Sequence, residues 1–573
     1  MIMPDLDRLG EVIETDVLVI GGGLSGLWAA NRARDFIENV LIVDKGPPIG
    51  YAGEGYFSGG NLQALPPGVN VDEYVKDIVS LGDGLYEQDL VEKILRQSWD
   101  RLEDFREMGV GFEEEDGKLK YIPQRGLQHN ACYIGKPSGA GGRDMMRGLA
   151  GEANKLGVKY LSRLYITDLI KQDNKVIGAV GFNIREEKFY IFKAKAVILA
   201  AGGCSFRGGY EDTHMCCGEG IELAFNSGAD LFNLEFITMW IIPKKFRWEG
   251  VTFLLPLGAV FVNEQGEHFM DRYSPIFKSN CDYNFIARAM AMEARAGRYP
   301  FYLDCSDMRP EDKKLMTPAE GWTALMYQQL LKAGIRPFEE RQEWTATPWT
   351  NSFVYSDHEM RTTVPGLFVA GILRNVDPGI YFGGWSICKT AAFGKWAGES
   401  AGIYANSESM PARINDCNII ELKQATYALL GKTGIDPEEV LRELQSVIFP
   451  VFILKNETNL THALKKVEEI RSTILPQAGA PDLHRLAKLK GIHSMVLIAE
   501  LVLRASLMRK ESRASHYRED YPVRDDTNWL KWIKVNNLDG KLNFQYVPLP
   551  LDKYKHKTWN CYSDNFKFPK QNV

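Results

Sequence analysis

The sequence predicts an α/β protein in which a nucleotide-binding domain is interrupted by an inserted α+β domain and followed by a helical domain. Three observations support this prediction: a glycine-rich turn between an apolar strand and an Ala-rich helix near the N-terminus, an aromatic- and proline-rich middle segment, and helical periodicity near the C-terminus. The chain has 573 residues, of which 45% are hydrophobic and 25% charged. At roughly 100–200 residues per domain, this length suits about three compact units.

The first predicted element is a short apolar strand, Asp16–Ile20, of the kind that is buried in parallel sheets. A glycine turn and an Ala-rich helix follow, and a second apolar strand, Val40–Val43, ends at Asp44. The turn has the GxGxxG spacing, formed by Gly21, Gly23 and Gly26. Strand, turn, helix, strand and acid in this order make a Rossmann-type dinucleotide fingerprint. The glycines admit a pyrophosphate to the helix N-terminus, and the acid accepts hydrogen bonds from ribose hydroxyls.

The next predicted strands form a hairpin and then return to the nucleotide-binding domain. Val176–Phe182 and Phe189–Phe192 flank a charged turn, which favours a β-hairpin. Ala196–Leu199 is predicted as a separate buried strand. It leads to Ala201 and Gly202, where the edge of a cofactor could pass.

A second glycine turn lies much later in the chain. A short apolar strand, Leu367–Val369, leads to Gly371, and the sequence Gly383–Ser386 then opens an Ala-rich helix, Ile387–Ala401. A glycine turn that feeds a helix again suggests that an anion or a carbonyl is held at a helix N-terminus.

Composition divides the chain into four predicted parts. Residues 10–235 and 356–415 carry the nucleotide-binding signals, and residues 236–355, rich in Trp, Tyr, Phe and Pro, are predicted to be the inserted capping domain. Residues 416–520 are predicted to be helical, and residues 521–573 form a tail in which Leu542, Phe544 and Tyr546 alternate as in a short strand. The predicted helices of the third part are Asn418–Leu430, Pro437–Ile448, Leu460–Leu475 and His484–Met508.

Charge and hydropathy exclude several classes of function. Lys and Arg number 68 against 74 Asp and Glu, a net charge of -6, so the basic surplus of a nucleic-acid-binding protein is absent. The longest largely apolar run, about Val251–Val262, is broken by Pro256 and is too short for a membrane helix of about 20 residues. The N-terminus lacks a signal segment. We therefore expect a cytoplasmic protein that meets a membrane only through a partner.

The cysteine content also favours a cytoplasmic protein. The chain has 9 cysteines and no CxxC motif, which suits a reducing compartment. The adjacent pair Cys216–Cys217 is poorly placed for a shared metal or a relaxed disulfide. No metal site is predicted, and any cysteine-ligated iron–sulfur cluster is expected on another subunit.

Beyond the first glycine turn, longer segments carry motifs of a known family. They are residues 185–203 (REEKFYIFKAKAVILAAGG), 360–371 (MRTTVPGLFVAG), 383–386 (GGWS) and 509–532 (RKESRASHYREDYPVRDDTNWLKW). Together with GGGLSG and VDK near the N-terminus, they resemble the flavoprotein subunits of the succinate dehydrogenase/fumarate reductase superfamily, and among these the adenylylsulfate reductase alpha subunits. The resemblance implies an extended FAD, a capping domain over its isoalloxazine ring and, for electron transfer, a ferredoxin-like iron–sulfur partner.

The resemblance also implies how FAD is held. Succinate dehydrogenases attach FAD covalently through a His in the glycine-rich stretch before the flavin, but Gly50–Gly55 contains no His, so we expect non-covalent FAD. The implied FAD-binding residues are Gly21, Gly23, Gly26, Asp44, Lys45, Ser58, Gly59, Gly60, Asn61, Ala201, Gly202, Gly371, Gly384 and Ser386.

The substrate site departs from the family pattern. Trp240 and Tyr283 stand where the resemblance places a His and a proton-donating Arg, and Thr345–Thr350 lacks the second substrate His. The Arg expected ahead of the second glycine turn is replaced within Ile380–Phe382, and the acid expected at the FAD ribitol is Ile372. Burying carboxylates without cationic partners is costly, so we expect succinate and fumarate to be poor substrates.

Several residues remain candidates for catalysis or for binding a small-molecule substrate. The cations near the presumed pocket could bind an anion, and the aromatic residues either form core or line a pocket for a flat apolar group. His214 and the Cys216–Cys217 pair are interpreted as packing residues. The candidate catalytic residues are His129, Arg272, Arg288, Trp240 and Tyr283.

The sequence thus predicts an FAD-dependent oxidoreductase subunit that exchanges electrons between a small substrate and an iron–sulfur partner. Two alternatives stay open: a fumarate reductase or succinate dehydrogenase type of enzyme, and a non-catalytic FAD electron-transfer subunit. The tail after Asp520 is predicted to contribute to the partner dock, and the alternative is that it folds back on its own chain.

Overall fold

The structure, a computed structural model, describes residues 6–122, 125, 132–133, 141–208, 214–245, 254–314, 317, 322–349, 351–374, 377–411 and 414–568. It confirms the α/β fold class. The central strand of the main sheet, Glu11–Ile20, pairs in parallel with Val40–Val43 on one side and with Phe189–Leu199 on the other. The remaining strands of this sheet are Lys159–Leu161, Leu164–Gln172, Lys175–Asn183 and Leu367–Val369.

One prediction about this sheet is wrong. The two strands expected at Phe189–Phe192 and Ala196–Leu199 are a single strand, Phe189–Leu199, because Lys193 and Lys195 continue the alternation of the strand instead of breaking it. Its first half pairs with the hairpin strand Lys175–Asn183, and its last residues pair with Leu367–Val369. This long strand therefore joins the hairpin to the nucleotide-binding edge.

The two helices that follow the glycine turns pack directly against each other. They are Leu24–Ala33 and Trp385–Ser407, and both are largely buried. Their close approach requires glycine, since a Cβ on Gly398 would lie 2.2 Å from the carbonyl oxygen of Ala29. The contact brings the N-termini of both helices to one side of the sheet. The other helices of residues 71–227 are Val71–Leu81, Gln88–Arg96, Ser98–Glu107, Gly142–Lys155 and Glu219–Ser227.

The middle segment contains a separate antiparallel sheet. Its strands, in spatial order, are Met239–Pro243, Gln342–Pro348, Phe301–Asp304 and Val260–Val262. A buried helix, Tyr283–Arg295, begins at Asp282, whose carboxylate accepts the backbone N–H of Asn284 at 2.9 Å. A further helix of this segment is Trp322–Lys332.

The third part is helical, in agreement with the predicted fold class, but the predicted helix Leu460–Leu475 is α-helical only over Glu457–Glu469 and continues as a π-helix over Ile470–Ile474. Its helices are Asp416–Tyr427, Pro437–Ile453, Glu457–Glu469 and Leu483–Met508. Among the described helices, Leu483–Met508 alone is long and apolar enough to cross a membrane, but 72% of its most apolar stretch is buried inside the protein. It is therefore accounted for as a core helix.

The described part of the tail folds back on its own chain. The predicted strand around Phe544 is the second strand of a hairpin, Lys531–Leu538 and Lys541–Pro548, which pairs with Leu231–Phe232. Further on, the Phe566 ring stacks on Phe285 of the inserted segment with centroids 3.8 Å apart. The described part of the tail therefore packs on its own chain.

Candidate active site

The first glycine turn is shaped for a close backbone approach. Gly21 has φ +110°, which favours glycine, and a Cβ on Gly26 would lie 1.9 Å from the carbonyl oxygen of Gly21. Gly23 precedes the helix Leu24–Ala33 and has no side chain to cap its first turn. The amide N–H groups of that turn are therefore available to an anion.

Asp44 closes the turn from the second strand. Its Oδ2 accepts the N–H of Gly22 at 2.6 Å, and its Oδ1 accepts the N–H of Gly46 at 2.5 Å. Burial raises the pKa of Asp44, although both backbone donors act in the opposite direction. The side chain of the neighbouring Lys45 pairs with Glu219 and donates to the carbonyl of Met215 at 2.6 Å.

A cavity of about 490 Å³ runs from this turn to the inserted segment. It brings together most of the residues that the sequence implied for FAD, including both glycine turns. The predicted residues that line it are Gly21, Gly23, Asp44, Lys45, Ser58, Gly59, Asn61, Ala201, Gly202, Trp240, Gly384 and Ser386.

Three of the residues predicted to bind FAD, Gly26, Gly60 and Gly371, do not line the cavity but shape its walls. Gly26 packs under Gly21, as described above. A Cβ on Gly60 would lie 2.9 Å from the backbone of Gly141, and one on Gly371 would lie 2.4 Å from Oγ of Ser25. These glycines therefore act through close packing.

The cavity suits an extended dinucleotide at both ends. One end is the uncapped helix start beside Asp44, and the other is Gly384, with φ +79°, which precedes the helix Trp385–Ser407. Between them, the Oδ1 of Asn61 is buried and has no hydrogen-bond partner among the described residues, as expected for a side chain that awaits a ligand donor. The residues present therefore fit FAD.

Three aromatic side chains, Trp240, Trp349 and Tyr381, form what we call the aromatic wall at the second end of the cavity. The Trp240 ring centroid lies 4.5 Å from that of Trp349 and 4.8 Å from that of Tyr381. Tyr283 packs edge-on against Trp240 at 4.6 Å but does not line the cavity. Arg125 is buried and stacks 3.5 Å from the centroid of the Tyr283 ring.

A buried ion pair lies beside this wall. Lys389 contacts Asp377, and the indole N–H of Trp385 donates to the same carboxylate at 2.9 Å. Lys389 and Asp377, together with Tyr381 and Trp349, line part of a second, small cavity of about 30 Å³. The sequence does not predict this pair, because nothing in the local pattern shows that Lys389 faces inward.

The predicted cations are not brought to the cavity. Arg272 pairs with Glu293 at 2.7 Å and with Glu267 at 3.1 Å. Arg288 packs its guanidinium 4.3 Å from the centroid of the Tyr517 ring, and burial lowers its pKa to about 10. His129 lies outside the described residues.

His214 does not line the cavity, and neither does Cys217, whereas Cys216 does. His214 bonds through Nε2 to the carbonyl of Gly208 at 2.8 Å. Burial raises the pKa of the Cys217 thiol to about 12 and that of Cys216 well above its ordinary value. Neither thiol is therefore suited to act as a thiolate near neutral pH.

Lining residues that sequence reasoning did not single out include Arg163, Tyr165 and Glu219. Arg163 precedes the strand Leu164–Gln172, Tyr165 lies on that strand, and Glu219 begins the helix Glu219–Ser227. These elements are distant from the glycine turn in the sequence. No local motif marks them, since only the sheet topology brings them to the cavity.

The fold and the cavity define an FAD-dependent oxidoreductase with an inserted domain over the cofactor site. Residues 16–383 match the family model described as FAD binding domain, and residues 442–561 match the one described as fumarate reductase flavoprotein C-term. The chain belongs to the family of fumarate reductase and succinate dehydrogenase flavoprotein subunits.

Relatives across nearly the whole length support this membership. The chain is 30% identical to a subunit of the fumarate reductase (CoM/CoB) of Methanothermobacter marburgensis, over 94% of this chain and 99% of that protein. It is 25% identical to the 8-methylmenaquinol:fumarate reductase flavoprotein subunit of Wolinella succinogenes, over 94% of this chain and 91% of that protein.

Solved structures share the fold. The E. coli quinol fumarate reductase flavoprotein superposes with a TM-score of 0.84 at 19% identity, over 94% of this chain and 97% of that chain. Adenylylsulfate reductase from Archaeoglobus fulgidus superposes with a TM-score of 0.77 at 22% identity, over 96% of this chain and 98% of that chain.

Proposed function

We propose that this flavoprotein subunit exchanges electrons between a small substrate, bound against the aromatic wall, and an iron–sulfur partner. The observation that carries the proposal is the single cavity that joins the dinucleotide turn at Gly21 to the wall at Trp240. An isoalloxazine ring placed between these ends would be reached by a substrate from the side of the inserted segment. Bound FAD supplies the conversion between two-electron and one-electron chemistry.

Each end of the cavity has its own task in this proposal. The amide groups after Gly23 hold the pyrophosphate, and Asp44 accepts hydrogen bonds from the adenosine ribose. Gly384 and Ser386 present the start of the second helix to the flavin, where its partial positive charge favours a reduced, anionic ring. Asn61 offers its unpartnered Oδ1 to a flavin donor.

FAD is proposed to be bound without a covalent link, since residues 50–60 contain no His. Acid precipitation of the purified protein should release the yellow colour into the supernatant. Flavin that stays on the denatured chain would contradict this part of the proposal.

An iron–sulfur partner is proposed because the sequence lacks a cysteine cluster motif and because several relatives are named as subunits. Such a partner would also provide any link to a membrane, and the cytoplasm is the proposed compartment. Affinity purification of the tagged chain from its native host should recover a protein with iron and acid-labile sulfide. An isolated chain that turns over its acceptor alone would argue against this route.

Since the tail is folded into the molecule, its truncation would disturb the fold as well as any dock. The exposed residues Leu542 and Tyr546 of the hairpin offer a milder test of the predicted dock. Replacing both with Ser should weaken recovery of the partner while FAD content stays unchanged. Unchanged recovery would remove the hairpin from the dock.

A fumarate reductase is the second candidate, favoured by the 30% identity to a relative of that name. Against it stand Trp240 and Tyr283, at positions where the family pattern has an imidazole and a proton donor. Loss of a positioned proton donor typically costs roughly 10²–10⁴-fold in rate. Fumarate reduction with a reduced viologen donor should therefore be slow, and robust turnover would favour this candidate.

The third candidate, a non-catalytic FAD electron-transfer subunit, differs from the main proposal in the electron acceptors that it would reduce. A protein of this kind would oxidise and reduce its FAD with artificial dyes but would turn over no small molecule. Screening the reduced protein for reoxidation by unsaturated acids separates it from the main proposal.

A further inference from the structure

The aromatic wall is a rigid surface assembled from three separate segments. Trp240 lies on the strand Met239–Pro243, which pairs with the strand Gln342–Pro348, and Trp349 follows directly after that second strand. The backbone N–H of Trp349 donates to the carbonyl of Thr238 at 2.9 Å. The two indoles are therefore held at a fixed spacing by the sheet.

The third ring is held from the opposite side. The backbone N–H of Tyr381 donates to Oδ2 of Asp282 at 3.1 Å, and the other oxygen of Asp282 caps the helix Tyr283–Arg295. The same carboxylate thus positions Tyr381 in front of Trp240 and Tyr283 behind it. Rings fixed in this way lose little conformational freedom when a ligand packs on them.

Charge is distributed unevenly along the cavity. Among the described lining residues, the cationic or titratable basic side chains are Lys45, Arg163, Arg185 and His484. Lys45 adjoins Asp44, and the backbone of Arg163 bonds to Gly46, so these two lie at the dinucleotide end. The described lining of the opposite end is largely aromatic, with Tyr381 in the segment where the family pattern has an Arg. Two buried cations lie close by but outside that lining: Lys389, which is paired with Asp377, and Arg125, which stacks on Tyr283.

We propose that the wall binds the flat apolar face of a planar conjugated substrate that carries at most one carboxylate, and that Trp349 and Tyr381 determine this specificity. The inference rests on the proposed function, which places the substrate at this end of the cavity. Aromatic faces favour offset or edge-on contact with another π-system. A second carboxylate would have to be buried against these rings, where it is disfavoured.

Cinnamate and fumarate provide a matched pair of probes, because they share an acrylate unit and differ in a phenyl ring against a second carboxylate. Each would be titrated into the FAD-loaded protein while the flavin absorption spectrum is followed. Cinnamate is expected to perturb the spectrum with saturation and to bind at least tenfold more tightly than fumarate. Hydrocinnamate, which lacks the conjugated double bond and is not planar, is expected to bind more weakly than cinnamate.

Substitutions in the wall test the assignment of residues. Trp349→Leu and Tyr381→Leu are each expected to weaken cinnamate binding by at least tenfold while FAD content is retained. The control is Trp559→Leu in the tail, where the indole packs on Gly84 and does not line the cavity. It is expected to leave the titration unchanged. If Trp349→Leu loses FAD or fails to fold, Trp349→Phe, which keeps a ring, is expected to show a smaller loss of cinnamate binding.

Two results would overturn the inference: binding of fumarate that is as tight as, or tighter than, that of cinnamate, or cinnamate binding that neither wall substitution weakens. Its failure is distinguishable from failure of the proposed function. A protein that holds FAD and exchanges electrons with a viologen but shows no preference for cinnamate contradicts the substrate class alone. A protein that purifies with no FAD and takes none up contradicts both.

Discussion

The two ends of the cavity offer different kinds of contact to a ligand. At the dinucleotide end, backbone amides after Gly23 and the carboxylate of Asp44 are proposed to contact FAD, and the glycines matter because they bring the backbone close. At the aromatic wall, side chains such as Trp240 and Trp349 provide the surface, and the backbone only holds them in place. Backbone contacts suit a cofactor common to a whole family, whereas a side-chain surface can be changed by single substitutions.

The two ends also differ in the number of chain segments that form them. The dinucleotide end comes mainly from one continuous stretch, Gly21–Gly46, whereas the wall requires the strand at Trp240, the end of the strand before Trp349 and the loop at Tyr381. Substitutions at the first end should therefore affect cofactor binding, and substitutions in the aromatic wall should affect substrate binding alone.

The largest effect is expected from Gly26→Ala. The new Cβ would lie 1.9 Å from the carbonyl oxygen of Gly21, and the backbone would have to move to relieve the clash. FAD affinity, measured by fluorescence titration of the apoprotein, should fall by at least roughly 100-fold, which corresponds to about 2.7 kcal/mol. The control is Gly151→Ala on an exposed helix position with no atom within 4 Å, and it should bind FAD normally.

Asp44→Ala is expected to have the next largest effect. It removes the acceptors of the Gly22 and Gly46 amides together with the partner of the ribose hydroxyls. Hydrogen bonds to a charged group contribute about 1.5–3 kcal/mol, so FAD affinity should fall roughly 10–100-fold. Asp44→Asn keeps one acceptor and should lose less, and equal losses for both variants would mean that the charge, not the geometry, dominates.

The free energy of unfolding should depend on pH through Glu222, which lies near the dinucleotide end of the cavity. Glu222 lies one turn after Glu219, the partner of Lys45, and accepts from Ser494, with Lys490 and Asp168 nearby. Burial raises its pKa from 4.5 to about 7. The folded protein then binds a proton that the unfolded chain releases, so the contribution of Glu222 to stability is present below pH 4.5 and is lost as the pH rises to about 7.

Glu222→Gln should abolish this dependence. The difference in the free energy of unfolding between variant and wild type should grow by about 1.4 kcal/mol per pH unit between the two pKa values. Denaturant titrations at pH values across that interval would measure it, with the exposed Glu107→Gln as control. A constant difference between Glu222→Gln and wild type would show that Glu222 titrates normally.

The smallest effect is expected from Tyr381→Leu on the affinity for FAD. If the aromatic wall contacts the substrate and does not hold the cofactor, FAD affinity should change by less than about threefold, which corresponds to about 0.6 kcal/mol. The same titration used for Gly26→Ala measures it. A loss comparable to that of Asp44→Ala would show that the wall also holds the cofactor and would end the proposed separation.

The strand Phe189–Leu199 shows what a local sequence pattern can and cannot predict. The pattern predicted its apolar residues but divided it at Lys193–Lys195, since a strand paired on both sides is expected to be apolar throughout. Lys193 reaches Glu14 and Lys195 reaches Asp16 on the neighbouring strand. Such cross-strand pairs are invisible until the register is known.

The two predicted catalytic cations show more clearly that local sequence patterns do not reveal contacts between distant segments. Arg272 and Arg288 have the residue type that an anionic substrate needs, and their sequence neighbours do not reveal what they contact. The structure turns Arg272 toward Glu293 and covers Arg288 with the rings of Tyr517 and Phe568. Phe568 lies far beyond Arg288 in the chain, so no local pattern could have placed it there.

The sequence by itself determined the α/β class, the dinucleotide turn with Asp44, the second glycine turn at Gly384 and the helices of the third part. All of these depend on residues within a few turns of one another, where periodicity, glycine conformation and helix capping act locally. Only the tertiary structure decided that Trp240, Trp349 and Tyr381 form one wall and that the tail folds inward. These outcomes depend on contacts between segments far apart in the chain, and the free energy of such contacts comes from burying side chains whose partners the local sequence does not specify.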